Sequence, residues 1–167
     1  MPRLLFRLIT ALALAASPAL ALAQQGVQIS FGQSLHLDGT SLEVTADNLS
    51  VDQTTGETEF TGNVMADQGD LHISAQALRL VYTQGAQPGS QRIARLVASG
   101  GVTMATPTEA LEARNAVYDM DAQTLEMTGS VMLVQGSNML SGERFVADLN
   151  AGSGRMMGRV RTIIQME

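Results

Sequence analysis

A fourfold internal repeat is the feature that most constrains the fold of this chain. The copies align on Ala46, Ala75, Ala113 and Gly142, which are 29, 38 and 29 residues apart. The nine extra residues of the middle interval coincide with residues 84–92, whose glycines and proline are typical of an elongated turn. Repetition at this period indicates that one supersecondary unit recurs four times and shares its core with its neighbours.

Apolar residues occupy equivalent positions in every copy. They recur two residues before the anchor (Val44, Ile73, Leu111, Leu140), three after it (Leu49, Leu78, Ala116, Phe145) and five after it (Val51, Leu80, Tyr118, Ala147). A Gly-x-Val motif recurs at positions 62–64, 100–102, 129–131 and 158–160. The repeated glycine indicates a kink or a close approach of backbone, because a side chain there would be in the way.

The apolar residues within each copy alternate with polar ones, as in Leu125, Met127, Val131 and Leu133. A period of two predicts strands with one buried face, and the slip in phase after each anchor predicts a bulge or bend there. Asp52, Asp119 and Asp148 precede turn residues and should end the first strand of their copies. The sequence therefore predicts an all-β domain of four repeated antiparallel hairpins. A barrel, two facing sheets and a solenoid could all bury their apolar faces, and the recurrent bend favours a folded-over jelly roll. The first strand, residues 42–46, and the last, residues 156–164, are candidate edge strands.

The first residues predict export. Arg3 and Arg7 flank an apolar stretch that ends in Ala21-Leu22-Ala23, the pattern of a cleavable signal peptide over residues 1–23. The predicted mature domain, residues 24–167, would reside in the periplasm. Removing two arginines changes the net charge from −6 to −8, and an acidic chain without lysine is a poor partner for nucleic acid. The absence of cysteine excludes disulfides and a lipoprotein anchor.

Several segments resemble the LptA/OstA family of periplasmic lipopolysaccharide-transport proteins. The most specific is residues 59–64, Glu-Phe-Thr-Gly-Asn-Val, continuing through residues 67–75. Residues 42–47, 113–118 and 125–135 are similar to other strands of the family, so that the resemblance spans about residues 42–160. It implies an open, twisted β-jelly roll with a lipopolysaccharide slot between two sheets. The chain lacks the lysine-rich tail of some members.

The resemblance also implies partners and lipid contacts. The partners would be the lipid A part of lipopolysaccharide, an inner-membrane LptC-like protein, an outer-membrane LptD-like translocon and further copies of the chain, arranged head to tail. Leu42 and Val44 match family positions that contact lipid. The other candidate lipid-binding residues lie on inward phases of the repeat: Phe60, Val64, Ile73, Leu80, Met104, Tyr118, Met127, Val131 and Phe145. Any of these could instead be ordinary core.

No residue pattern indicates catalysis, a cofactor or a metal. His36 and His72 lack the spacing of metal ligands, and no nucleophile elbow is present. Arg155, Arg159 and Arg161 could meet lipid phosphates or could simply form a solvated edge. The leading hypothesis is a non-enzymatic lipopolysaccharide bridge subunit, with an LptC-like subunit as a variant. The alternatives are an exported β-repeat module without lipid, which a filled and closed core would favour, and a secreted hydrolase.

Overall fold

The described residues form one antiparallel sheet of eleven strands. The computed structural model describes residues 27–30, 41–83 and 92–165. The strands are β1 (Val27–Ser30), β2 (Glu43–Thr45), β3 (Asn48–Val51), β4 (Thr58–Gln68), β5 (Leu71–Tyr82), β6 (Ile93–Ala105), β7 (Glu109–Asp119), β8 (Thr124–Gln135), β9 (Asn138–Asp148), β10 (Ser153–Met157) and β11 (Arg161–Ile163). Their order is β1-β10-β9-β8-β7-β6-β5-β4-β2, with β3 also on β4 and β11 also on β9. The all-β prediction is confirmed.

Every long strand bends at the phase predicted from the repeat. The register shifts between Thr61 and Val64 in β4, and an equivalent shift separates the two halves of each later hairpin pairing. At each Gly-x-Val motif, both the glycine and the next residue have positive φ, as in Gly129 (87°) and Ser130 (59°). Two successive left-handed residues turn the strand sharply, so the sheet folds over along this line.

The fold line divides the sheet into two parts. The β2 half-sheet consists of β2, residues 64–75, 102–113 and 131–142, and β11. The β3 half-sheet consists of β3, the remaining halves of the long strands, β10 and β1. Buried side chains from both half-sheets form a single hydrophobic cluster. This arrangement is an open, twisted β-jelly roll, as the family resemblance implied.

Aspartates end the first strand of three repeats, as predicted. Oδ1 of Asp52 accepts hydrogen bonds from the amides of Thr54 and Thr55 at 2.7 and 3.2 Å. Oδ1 of Asp119 accepts two amides in the same way, and Oδ1 of Asp148 accepts the amide of Ala151. Each carboxylate therefore fixes a tight turn by local side-chain to backbone bonds. The predicted elongated turn, residues 84–92, lies outside the described part of the chain except for Arg92.

The two ends of the sheet differ. At one end, β2 and β3 form an edge interrupted at the fold line, where the amide of Asp47 donates to the carbonyl of Gly62. At the other end, β10 and β11 both pair with β9, and β1 pairs with the outer side of β10. The sequence predicted an edge strand over residues 156–164. That prediction was wrong for Met156, because β1, which the repeat does not include, covers β10 there.

Candidate functional site

Inward-facing apolar side chains form rows that cross the folded sheet. Residues paired across antiparallel strands point to the same face, so the register defines each row. In the β2 half-sheet, one row consists of Val44, Ala66, Ile73, Met104, Leu111, Leu133 and Leu140. In the β3 half-sheet, another consists of Leu49, Phe60, Leu78, Ala98, Ala116, Met127, Phe145 and Met156. The apolar lining is therefore continuous from the β2–β3 end to the β9–β10 end.

All of the candidate lipid-binding residues lie on this inward face or next to it. Eight are buried: Val64, Ile73, Leu80, Met104, Tyr118, Met127, Val131 and Phe145. Leu42, Val44 and Phe60, close to the β2–β3 edge, are partly buried against the same cluster. The repeat columns thus located the interior, although burial alone does not distinguish a lipid contact from core packing.

The middle of the interior is closed. The two half-sheets leave between them a cavity of only about 20 Å³, lined by residues of both, including Ile73, Met104 and Tyr118. Such a volume holds about one water molecule and no acyl chain. A lipid chain can enter this region only if the half-sheets move apart. The closed core is the feature expected of an exported β-module without lipid.

Six residues that line this cavity were absent from the candidate set. They are Leu78, Leu96, Ala98, Val102, Ala116 and Leu125. Leu78 and Ala116 occupy the same repeat column as Phe145, and Val102 occupies the column of Val64 and Val131. The repeat therefore contained the signal for three of them. The repeat could not predict which inward residues of one half-sheet contact which residues of the other after folding.

The apolar face is exposed at one end. Leu49 and Val51 pair with Phe60 and Thr58 and so lie on the inward face, yet they are 59% and 60% exposed. At the opposite end of the β3 half-sheet, Phe145 and Met156 are fully buried. Inward-facing apolar side chains at the β2–β3 end are therefore accessible from solvent without any displacement of strands.

The outer surface carries exposed ion pairs. Nε and Nη2 of Arg144 donate to the two carboxylate oxygens of Glu126 at 2.8 and 2.9 Å. These hydrogen bonds lower the pKa of Glu126 and raise that of Arg144. Arg159, one of the candidate phosphate ligands, donates to Glu143 at 2.8 Å. Arg155, on β10, and Arg161, on β11, are exposed as well.

The described residues contain no group of three or more His, Asp or Glu side chains that could hold a metal ion. His72 lies on the outer face, with its Nδ1 2.5 Å from Oδ1 of Asp67. His36 lies outside the described residues. Nor does any described segment form a helix able to cross a bilayer.

Repeated bent hairpins, folded over a continuous apolar interior, define the chain as a β-jelly-roll protein. Residues 43–153 match the family described as LptA/(LptD N-terminal domain) LPS transport protein, and the chain belongs to that family. It is a family of transport proteins rather than enzymes.

Two individual proteins are also similar to this chain. An uncharacterised protein of Rhizobium meliloti (strain 1021) is 26% identical over 170 residues, covering 93% of this chain and 88% of that protein. The crystal structure of LptH from Pseudomonas aeruginosa matches with a TM-score of 0.66 at 14% identity, covering 76% of this chain and 96% of that one. LptH is the LptA homologous periplasmic component of a lipopolysaccharide transport device. At this identity the match establishes the fold.

Proposed function

We propose that this chain is a periplasmic bridge subunit that moves lipopolysaccharide from the inner to the outer membrane on its inward apolar face. The observation that carries the proposal is the continuous apolar lining, exposed at Leu49 and Val51, in a member of a lipopolysaccharide-transport family. Export by cleavage of residues 1–23 would deliver the domain to the periplasm.

An apolar lining lowers the main free-energy cost of moving this lipid, which is the exposure of its acyl chains to water. Each buried CH₂ group is stabilised by about 0.8 kcal/mol, so taking one acyl chain through water costs on the order of 10 kcal/mol. A row of inward side chains that crosses the whole sheet replaces that single barrier with many small steps. Met104, Met127 and Met156 suit such a surface, because methionine adapts its shape to different apolar partners.

The closed middle requires the half-sheets to separate as the lipid advances. Acyl chains enter at the β2–β3 end, where Leu42 and Val44 are partly buried and Leu49 and Val51 are exposed. They then displace contacts such as those around the cavity beside Ile73 and Met104. Because the acyl chain replaces the apolar contacts that it breaks, the net cost of opening stays small.

The sheet edges would join this subunit to its partners. Edge strands offer unpaired N–H and C=O groups that a strand of another chain can extend. The margins available in the described strands are the β2–β3 edge at one end of the sheet and β1 and β11 at the other. Head-to-tail contacts with an LptC-like protein, further copies of this chain and an LptD-like translocon would use these margins. Contacts between unlike edges continue as an open filament, as a bridge requires.

A second candidate is an exported β-module that joins other β proteins and carries no lipid. The closed cavity of about 20 Å³ favours it. On that account the exposed Leu49 and Val51 would contact a partner protein.

Direct binding by the purified protein distinguishes the two candidates. The assay is displacement of a fluorescent fatty acyl probe by purified lipopolysaccharide. Leu49→Asp places a charge on the inward face, and Met65→Asp is its matched control, because Met65 is 55% exposed on the outer face of the adjoining strand. Losing one large apolar contact lowers affinity by about tenfold or more.

The carrier account expects lipopolysaccharide to displace the probe from the wild-type protein and from Met65→Asp, and expects weak binding to Leu49→Asp. Absence of any binding to the folded wild-type protein would leave the module without lipid as the better account.

A further inference from the structure

A polar cluster lies on the inward face, at the turn side of the β2 half-sheet. Glu109, at the start of β7, is 4% exposed and is the one buried charged residue in the described part of the chain. Gln135, at the end of β8, donates from Nε2 to Oε1 of Glu109 at 2.7 Å. Asn138, at the start of β9, is paired with Gln135 across the β8–β9 turn. We call these three residues the acceptor cluster.

The register places the acceptor cluster on the inward face of the sheet. Glu109 pairs with Gln135, and Gln135 with Asn138, so their side chains share one face. The last inward apolar row lies two residues away from the cluster on each strand and consists of Leu111, Leu133 and Leu140. The cluster therefore borders the apolar interior directly, at the point where it gives way to the turns.

The chemistry of the cluster selects hydrogen-bond donors. Its buried oxygens are a carboxylate, which is acceptor-only when ionised, and the amide oxygen of Asn138. Oδ1 of Asn138 is buried with no hydrogen-bond donor among the described residues. A buried acceptor without a donor costs free energy, and a ligand donor placed there would recover it.

The same chemistry excludes phosphate. A buried carboxylate repels a phosphate group, and the buried residues of the described strands include no arginine that could attract one. An uncharged group with O–H or N–H donors fits. A glycolipid carries such groups at the junction between its sugar and its acyl chains. There, hydroxyl and amide groups lie next to the first CH₂ groups of the chains.

We propose that the acceptor cluster is a polar subsite that binds the hydroxyl or amide donors at the headgroup–acyl junction of the transported glycolipid. The inference rests on the proposed carrier function and adds to it the orientation of the bound glycolipid. Acyl chains lie along the row of Leu111, Leu133 and Leu140, the sugar donors meet Glu109 and Asn138, and phosphates stay outside the interior.

The test compares two non-ionic amphiphiles of equal chain length, used as monomers. An alkyl glucoside offers hydroxyl donors, and an alkyl dimethylamine oxide offers acceptors alone. Calorimetry on the full folded chain measures the ratio of the two dissociation constants. The wild-type protein is expected to prefer the glucoside by about tenfold, as one or two hydrogen bonds to buried acceptors predict.

Two variants remove the acceptors, and thermal melting verifies that each is folded. Asn138→Leu deletes the oxygen that has no donor, and Glu109→Gln keeps the size of the side chain while removing its charge. Both are expected to reduce the preference to about twofold or less. Met139→Leu, the outward neighbour on β9, should leave the preference intact.

Binding of both amphiphiles with equal affinity by the wild-type protein overturns the subsite and leaves the carrier function standing. Binding of neither amphiphile, together with no binding of lipopolysaccharide, overturns both. If Asn138→Leu and Glu109→Gln both keep the preference for the glucoside, its hydroxyl donors are bound by other residues. That result also overturns the subsite.

Discussion

A Cβ atom on Gly100 would lie 2.5 Å from Cβ of Gln76 on the neighbouring strand. The same approach recurs at the other three motifs, where Gly62, Gly129 and Gly158 lie against Asp47, Arg114 and Glu143. Those neighbours all occupy the position after the repeat anchor. The fold line thus needs glycine for two reasons, positive φ and the absence of a side chain.

Gly100 and its neighbour Gly101 separate these two reasons. Their φ values are 86° and 91°, but nothing lies within 4 Å of a Cβ on Gly101. Gly101→Ala should cost about 1–2 kcal/mol in the free energy of unfolding, from conformation alone. Gly100→Ala should cost at least about 1 kcal/mol more, because Gln76 and its strand must shift. Urea unfolding measures both, and equal losses would show that the close approach is not a constraint.

Among the inward residues, the buried ones should matter most for stability, and the exposed ones should matter for lipid binding but little for stability. Phe145 is fully buried, so Phe145→Ala is expected to destabilise the fold by about 3–5 kcal/mol. Val51 is 60% exposed, and Val51→Ala should change stability by less than about 0.5 kcal/mol. In the lipopolysaccharide assay, Val51→Ala should nevertheless weaken binding. Val51→Ala protein with unchanged affinity would remove this end of the sheet from the entry route.

Asp119 should contribute to acid sensitivity. Hydrogen bonds from the amides of Ala122 and Asp121, and the charge of Arg95, hold its pKa below the ordinary value of 3.8. A lowered folded-state pKa stabilises the protein above pH 3.8, and this contribution is lost as the pH falls through the folded value. Asp119→Asn keeps an acceptor oxygen but cannot titrate, so its stability should fall less steeply below about pH 4.

Denaturant melts of Asp119→Asn and the wild-type protein, run side by side at pH 7 and at a series of lower pH values, measure this difference. Asp70→Asn in the β4–β5 turn is the control, because Asp70 is an exposed turn carboxylate too. A pH profile of Asp119→Asn that runs parallel to that of the wild-type protein would contradict the assignment.

The Arg144–Glu126 pair should contribute little despite its bidentate geometry. Both side chains are nearly half exposed, at 48% and 42%, and solvent screens exposed pairs. A double-mutant cycle with Arg144→Ala and Glu126→Ala is expected to give a coupling energy below about 1 kcal/mol, and smaller still at high salt. A coupling energy that is large and independent of salt would indicate that solvent screens this pair less than the exposure of its side chains suggests.

The sequence predicted the parts of the fold that the repeat encodes. The alternation of Leu125, Met127, Val131 and Leu133 gave the strands and their buried face, and the Gly-x-Val motifs gave the fold line. The aspartate turns followed from local chemistry at Asp52 and Asp119. These features depend on neighbours along the chain or on a pattern that occurs four times.

Other features could not be predicted because they depend on distant segments. Pairing of β1 with β10 joins Val27 to Met156, and no repeat column includes β1. The acceptor cluster was missed because Glu109, Gln135 and Asn138 look like ordinary turn residues until the register places them on the inward face. Inward positions could be predicted, but whether they contact lipid depends on how far the half-sheets separate.

Site-specific photocrosslinking in the periplasm of the native host tests the central claim most directly. A photoreactive residue replaces Val44 on the inward face of β2, and another replaces the outward-facing Glu43 as the control. The carrier account predicts lipopolysaccharide adducts at Val44 and none at Glu43. Absence of lipid adducts at Val44, and also at Phe60 and Met127, would contradict it and favour a β-module that joins proteins without carrying lipid.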